Sequence, residues 1–348
     1  MHRLKYLLAF TLPIATWYGF TWGGWRSLLP LIIIFLFFPL LELMLPPDSA
    51  NMDEKIAADE KNEAFYDGLL FLAVPIILGT FGYFFLVMED TVFASMEFWS
   101  RILAMGIISG IFGINVGHEL THRPKEKVTY YLGHLLLLTS LNLHFVPYHL
   151  GGHHRNVGKK TDPSTAAKNE WLYSFWFRSQ IGGYFQAWEI DKRVAREKGY
   201  SIYSLHNRMV RYTLITITYL AGLFFLLGTY LFLIYLLVVV ISICLLETIN
   251  YIEHYGLVRA KNEKGIYEPV RHHHSWNSDH IFGRALMFNL SRHSDHHYNG
   301  SIKYQILKSV PDAPQMPTGY PGMFVMAFFP PIWFYVMNPR LETNSYLH

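Results

Sequence analysis

The histidines of this chain are concentrated in a few short stretches. Of 18 histidines, nine fall in HELTH, HLGGHH, NYIEHYG and RHSDHH. The first stretch spaces two histidines four residues apart, which places both rings on one face of a helix. The second and the fourth each end in a histidine doublet, a pattern that packing alone seldom requires. The nine candidate metal ligands are His118, His122, His149, His153, His154, His254, His293, His296 and His297.

The ligand type and number indicate which metal ions such a set would hold. Imidazole binds zinc, copper, iron and nickel, and one ion takes about four to six ligands. Nine imidazoles therefore predict two ions. The single cysteine, Cys244, excludes a CxxC metal site and an internal disulfide. A site that holds two ions with histidines, leaves coordination positions open and lies beside an apolar membrane interior fits iron that activates O2 on an apolar substrate.

Four carboxylates lie next to these histidines in the sequence. Metal-bound histidines usually donate their other ring N–H to a carboxylate or a carbonyl. We therefore predict that Glu119, Asp162, Glu253 and Asp295 orient the ligands. The alternative for each is a solvated or salt-bridged carboxylate.

Five further histidines have weaker assignments. RHHHSWNSDH, residues 271–280, contains His273 and His274, which we predict to line the site or to replace a ligand. His272 is interpreted as a surface residue. His134 and His144 lie in an apolar segment and are predicted to be hydrogen-bonded packing residues.

The composition indicates a membrane protein. Hydrophobic residues make up 51% of the 348 residues and charged residues only 16%, against about 25% charged in a typical soluble domain. The apolar residues form long runs, and a spanning helix needs about 20 of them. We predict an all-α integral membrane protein with six transmembrane helices. The predicted spans are 6–22, 28–45, 68–88, 98–116, 212–227 and 230–249, with a break at Gly228-Thr229.

The distribution of basic residues sets the predicted orientation. Six spans place both termini on one side, together with the segments 117–211 and 250–348. These segments are rich in Lys and Arg, whereas EDTVFASMEFW has neither. The positive-inside rule then makes them a cytoplasmic cap that carries the histidines. We predict one membrane domain over 1–348. The net charge of +3 and the lack of a basic stripe do not indicate a nucleic-acid-binding protein.

Two other apolar stretches are shorter or interrupted. The segment 131–146 is short and contains two histidines, so we favour a re-entrant or interfacial helix. GMFVMAFFPPIWFYVM is split by Pro330-Pro331; proline removes a backbone donor and breaks a helix, so we favour a membrane-surface segment there too. LLPLIIIFLFFPLLEL and the sixth span provide candidate walls for a substrate tunnel between the helices.

These motifs resemble those of the integral-membrane diiron enzymes, which include desaturases and hydroxylases. The order and separation of HELTH, HLGGHH, NYIEHYG, HHSWNS and RHSDHH, and the tail PTGYPGMFVMAFFPPIWFYVMNPR, are most similar to the membrane alkane 1-monooxygenases. The xylene-type monooxygenases are near relatives. HLGGHH departs from the alkane pattern, which usually has an acidic residue where Tyr148 stands here, and leans towards the xylene-type enzymes.

The resemblance implies hydroxylation of the terminal carbon of an n-alkane by O2 at a non-haem diiron centre. It also implies electrons from a rubredoxin-type carrier with its reductase, because the chain lacks the cysteines to hold its own iron–sulfur group. The implied location is the bacterial inner membrane. The alternatives are a membrane lipid desaturase, an alkyl-aromatic monooxygenase and a metal transporter, which would place its ligands near the bilayer midplane.

Overall fold

The computed structural model describes residues 3–342, and the remaining residues of the predicted domain, 1–2 and 343–348, lie outside the described part. The described chain is helical apart from two isolated β-bridges, which confirms the all-α class. A 3-10 segment, Leu4–Phe10, precedes the first helix. The helices are α1 (Thr11–Trp22), α2 (Gly24–Met44), α3 (Glu54–Glu60), α4 (Ala64–Glu89), α5 (Met96–Thr121), α6 (Lys127–Thr139), α7 (145–156), α8 (Leu172–Glu197), α9 (Arg208–His254), α10 (Ile281–Leu286), α11 (His293–Tyr298), α12 (Tyr320–Ala327) and α13 (Pro330–Glu342).

Four of the described helices are long and apolar enough to cross a membrane: α2, α4, α5 and α9. Helix α9 has 47 residues but is not continuous, because Gly228 has φ 67° and ψ 173°. Glycine adopts such a positive φ without the steric cost that a side chain would bring. The break therefore falls where the sequence predicted it and divides α9 into two halves.

Helix α5 lies at the centre of the bundle. In its apolar stretch 89% of the residues are buried, against 28% to 33% in α2, α4 and α9. The other three helices thus leave most of their apolar side chains at the outer surface, where lipid would cover them. The C-terminal end of α5 carries HELTH, so the most enclosed helix of the bundle positions the first two candidate ligands.

Glycines let neighbouring helices approach α5 closely. A Cβ at Gly106 would collide with Ile241 of α9. A Cβ at Gly117 would lie 3.1 Å from the carbonyl oxygen of Gly133 on α6, so these two backbones are almost in contact. Small residues at such positions are the usual means of close helix packing in membranes. Here they fix α6 and α9 on two sides of the helix that ends in HELTH.

Three helical segments have π-type turns: Ile33–Phe37 in α2, Ser109–Asn115 in α5 and His149–His153 in α7. Such turns insert one extra residue into a helix and are frequent at functional sites. All three contribute residues to the cavity described below. The widened turns thus change the direction of side chains near the place where the cavity meets the histidines.

The apolar tail is divided as the sequence predicted. Helix α12 ends at Ala327 and α13 starts at Pro330, because the proline ring suits the first turn of a helix but not its interior. The segment 131–146 forms most of α6 and the start of α7. It packs beside α5.

Candidate metal centre

Five of the nine histidines form one group: His118 and His122 from the end of α5, His149 and His154 from α7, and His296 from α11. Each offers one ring nitrogen, and these nitrogens lie within 4.8 Å of one another. The Nε2 atoms of His118 and His122 are 2.9 Å apart, as are those of His149 and His154. We call these residues the five-histidine group.

The other four, His153, His254, His293 and His297, form a second group with the same spacing limit. Their side chains are all buried, and the Nε2 atoms of His254 and His293 are 3.1 Å apart. The two groups adjoin, since the rings of His154 and His297 are 4.4 Å apart. The structure therefore brings all nine sequence-predicted histidines together, in what we call the five-histidine and four-histidine groups.

The ring nitrogens fit the requirements of metal ions. Both nitrogens of His296 and both of His297 are buried without a hydrogen-bond partner, and so is Nε2 of His153. Leaving such buried polar atoms unpaired costs about 1–3 kcal/mol each. Nitrogen lone pairs that converge on one point and accept no hydrogen bond can instead coordinate a metal cation such as iron or zinc.

Burial keeps His149, His154 and His296 neutral, as metal binding requires. Burial, with help from the neighbouring imidazoles, lowers the pKa of His149 and His296 well below the ordinary histidine value. Burial lowers the pKa of His154 to about 3. At neutral pH one nitrogen of each of these three rings therefore has a lone pair free of a proton.

Asp162 and Glu253, two of the four predicted carboxylates, contact histidines of the four-histidine group. Nδ1 of His153 donates to Asp162 Oδ2 at 2.8 Å, which directs Nε2 into the group. Glu253 Oε2 lies 3.1 Å from His293 Nε2. Both carboxylates are buried.

The other two carboxylates have different partners. Glu119 pairs with Arg123 and accepts the backbone N–H of Tyr304. Asp295 lies 3.4 Å from His272 Nε2 and accepts the backbone N–H of Lys308. Helix geometry explains this, since neighbours in sequence point to different sides of a helix.

His273 and His274 lie apart from the nine histidines, in a separate group with Glu268. The ring of His274 bonds to Glu268 instead, and it is the neighbouring Ser275 whose hydroxyl lies 3.5 Å from Nδ1 of His254. His134 contacts Tyr130 O through Nδ1 and the Tyr212 hydroxyl through Nε2.

A cavity of about 900 Å³, including its mouth, leads from the histidines into the helix bundle. Its polar end contains His118, His149 and His293, together with Glu253. Most of the remaining wall is apolar. The predicted wall segments contribute to it: Ile34 and Phe35 of α2, and Leu245, Leu246 and Ile249 of α9.

Sequence reasoning missed three residues around the site. The hydroxyl of Tyr320 donates to Glu253 Oε1 at 2.8 Å, and that of Tyr148 lies 3.1 Å from Asp162 Oδ1. The backbone of Gly300 is hydrogen-bonded to His122. A Cβ at Gly300 would lie 3.0 Å from the rings of His122 and His154. Only Gly300, three residues after the last histidine doublet, had a usable signal in its position.

Comparison with known proteins gives relatives over nearly the whole chain. Residues 96–327 match the family model of fatty acid desaturases. The chain is 35% identical over 318 residues to alkane 1-monooxygenase 1 of Pseudomonas aeruginosa, covering 89% of this chain and 82% of that protein. It is 34% identical over 320 residues to alkane 1-monooxygenase 1 of Alcanivorax borkumensis, covering 92% and 78%.

A more distant relative has a different substrate in its name. The xylene/toluene monooxygenase hydroxylase component of Pseudomonas putida is 26% identical over 351 residues, covering 98% of this chain and 90% of that protein. Both kinds of relative thus match the transmembrane helices as well as the histidine stretches.

Proposed function

Because the chain belongs to the alkane 1-monooxygenases within the fatty acid desaturase family, we propose that it hydroxylates the terminal carbon of n-alkanes with O2. One oxygen atom enters the C–H bond and the other leaves as water, with two electrons and two protons consumed. The observation that supports this most is the apolar cavity that ends at the histidines. An alkane has no polar group, so only such a cavity can bind it and aim its end.

Two iron ions form the proposed centre, one held by the five-histidine group and one by the four-histidine group. When bound, they would supply the O2 activation that an unactivated C–H bond requires. Asp162 orients the ring of His153, and the hydroxyl of Ser275 lies 3.5 Å from Nδ1 of His254. These contacts fix which nitrogen of each ring faces the ion.

The polar end of the cavity is formed by the histidines and their neighbours. Glu253 lies between His293 and the Tyr320 hydroxyl, at the end where the terminal carbon would stop. Asn115 and Asn250 add the other uncharged polar side chains of that end. Beyond them the wall is apolar, which excludes water and rewards each buried methylene by about 0.8 kcal/mol.

The proposed topology has six spans, with α1 as the first and the two halves of α9 as the fifth and sixth. Segments 117–211 and 250–348 form the cytoplasmic cap of a single domain in a bacterial inner membrane. The Lys and Arg residues of these segments support this orientation. The metal centre then faces the cytoplasm, where reduced electron carriers are available.

The proposed electron donor is a rubredoxin-type carrier supplied by its reductase. The chain has one cysteine, Cys244, which is too few for an iron–sulfur group of its own. We infer that the electrons come from a separate carrier.

Product analysis tests the proposal. The purified membrane protein is given octane or hexadecane with O2, rubredoxin and its reductase, and acyl lipids in a parallel reaction. We expect 1-alkanols by gas chromatography and about two irons per chain by elemental analysis. Unsaturated acyl chains without any alcohol, or one zinc per chain, would contradict the proposal.

An alkyl-aromatic substrate is the second candidate, favoured by HLGGHH and by the likeness to the xylene/toluene enzyme. Xylene and octane in competition distinguish the two. A specificity constant that is higher for xylene would select the second candidate.

A further inference from the structure

A short turn projects from the cap beside the metal centre. In residues 260–268 the backbone N–H of Asn262 donates to Ile266 O, and that of Glu268 donates to Ala260 O. Lys261 and Tyr267 pair across the turn in an isolated antiparallel bridge. Residues 260–266 are exposed, so this hairpin offers its side chains to solvent.

The hairpin has an apolar centre and a charged edge. Val258 is 52% exposed and Ile266 60% exposed. Beside them the Nζ atoms of Lys159 and Lys261 lie 5.3 Å and 4.7 Å from the centre of the Tyr267 ring. An exposed apolar core within a polar rim is the usual arrangement of a protein–protein interface.

The lysines of this region differ from most others on the cap. Lys168, Lys192 and Lys303 each form an ion pair with a carboxylate. Within the described residues 3–342, Lys159, Lys261 and Lys264 form no such ion pair. The hairpin surface consists of Val258, Ile266 and Tyr267 with these three lysines and one exposed carboxylate, Glu263.

Two short hydrogen-bonded routes lead inward from this surface. The Arg259 guanidinium donates to the carbonyl oxygen of Arg155 at 2.9 Å, and Arg155 follows His154 of the five-histidine group. Glu268 Oε1 lies 3.2 Å from Nε2 of His274, and the hydroxyl of Ser275, the next residue, lies 3.5 Å from Nδ1 of His254 in the four-histidine group. One surface is thus connected to both groups.

We propose that the hairpin surface is the docking site of a small electron-carrier protein with an acidic face around an apolar centre. This inference rests on the proposed function, which requires two electrons per product. The unpaired lysines would draw an acidic partner, and Ile266 and Tyr267 would pack against its apolar centre. Complementary charge of this kind raises association rates and sets orientation.

Charge reversal in the full-length protein tests the docking site. The double variant Lys159→Glu/Lys261→Glu is compared with wild type and with Lys198→Glu, a matched control at the exposed end of α8. Binding of an acidic rubredoxin is measured by surface plasmon resonance across a range of salt concentrations. Anaerobic reduction of the bound iron is followed with reduced rubredoxin and, separately, with dithionite.

We expect the double variant to bind rubredoxin at least about tenfold more weakly at low salt and with a smaller salt dependence. Reduction by rubredoxin slows in proportion, whereas reduction by dithionite stays at the wild-type rate because dithionite needs no docking site. Ile266→Ser should weaken binding several-fold without changing the salt dependence.

Unchanged rubredoxin binding in the double variant would overturn the docking site. The docking site would also be overturned if the double variant lost binding to anionic lipid vesicles but kept its affinity for rubredoxin. The hairpin surface would then face the membrane. A failure of the proposed function looks different: wild type would bind rubredoxin but yield no alcohol from any alkane.

Discussion

The two histidine groups are built from the same side chain but have different surroundings. In the four-histidine group all rings are buried, and Asp162 and Glu253 contact two of them. In the five-histidine group His122 and His154 are only partly buried. Among the described residues, none of its rings contacts a carboxylate. Two neighbouring ions held by these groups would have the same type of ligand and still differ in how exposed and how firmly oriented those ligands are.

The physical consequence is a difference in strength of binding. Asp162 accepts the Nδ1–H of His153, which makes Nε2 of that ring more basic and fixes its direction. The four-histidine group should therefore hold its ion more tightly. The more open five-histidine group should exchange its ion more readily.

Removing a ligand should have the largest effect. His296→Ala should lower hydroxylation at least about 100-fold and reduce bound iron while the protein still inserts into the membrane. The measurements are product by gas chromatography and iron by elemental analysis. The matched control is His206→Ala, because His206 is exposed and, among the described residues, its ring stacks on Tyr200 alone. Full activity of the His296 variant would refute its ligand role.

Removing an orienting carboxylate should have the next largest effect. Asp162→Asn should weaken binding of the ion in the four-histidine group about 10- to 100-fold, because the ring of His153 loses its charged acceptor. Glu119→Gln is the control, since Glu119 contacts Arg123 and Tyr304 instead of a ring. Iron retention during titration with a chelator measures both. Equal retention in the two variants would remove the assigned role of Asp162.

Metal removal should reveal the difference in binding strength between the two groups in the wild-type protein. A soluble chelator should take one iron about tenfold faster than the other, because partly exposed ligands open more easily than buried ones. Iron per chain followed over time should show two phases. A single phase that removes both ions together would mean that the groups act as one.

The smallest effect is expected away from both groups. His134→Ala should leave iron content unchanged, since this ring bonds to Tyr130 and Tyr212. Loss of these hydrogen bonds should cost about 1 kcal/mol of stability. A thermal unfolding curve and iron analysis check the two statements. Loss of iron in this variant would extend the centre beyond the nine histidines.

The sequence predicted the parts of the site that depend on local spacing. Three such features are the four-residue spacing in HELTH, the two histidine doublets and the break at Gly228. Each acts within one or two helical turns, so its consequence can be derived from neighbours in the chain. The tunnel walls were predicted as segments, and Ile34, Phe35 and Leu245 do line the cavity.

Contacts between distant segments could not be derived in this way. The division of the histidines into five and four depends on how α7 and α11 pack together. Tyr320 reaches Glu253 across 67 positions of sequence, and no local pattern marks it. Glu119 and Asp295 adjoin ligands in sequence, yet the helix turns their side chains towards Arg123 and His272.

The late position of RHSDHH has a consequence for biosynthesis. His296 belongs to one group and His293 and His297 to the other, so neither coordination sphere is complete until the ribosome has passed residue 297. A nascent chain stalled before RHSDHH would already contain all four long apolar helices yet would lack ligands in both spheres. If the proposed ions bind here, we expect the apolar helices to be able to insert before both ions are loaded, and a product truncated before RHSDHH to be embedded but inactive.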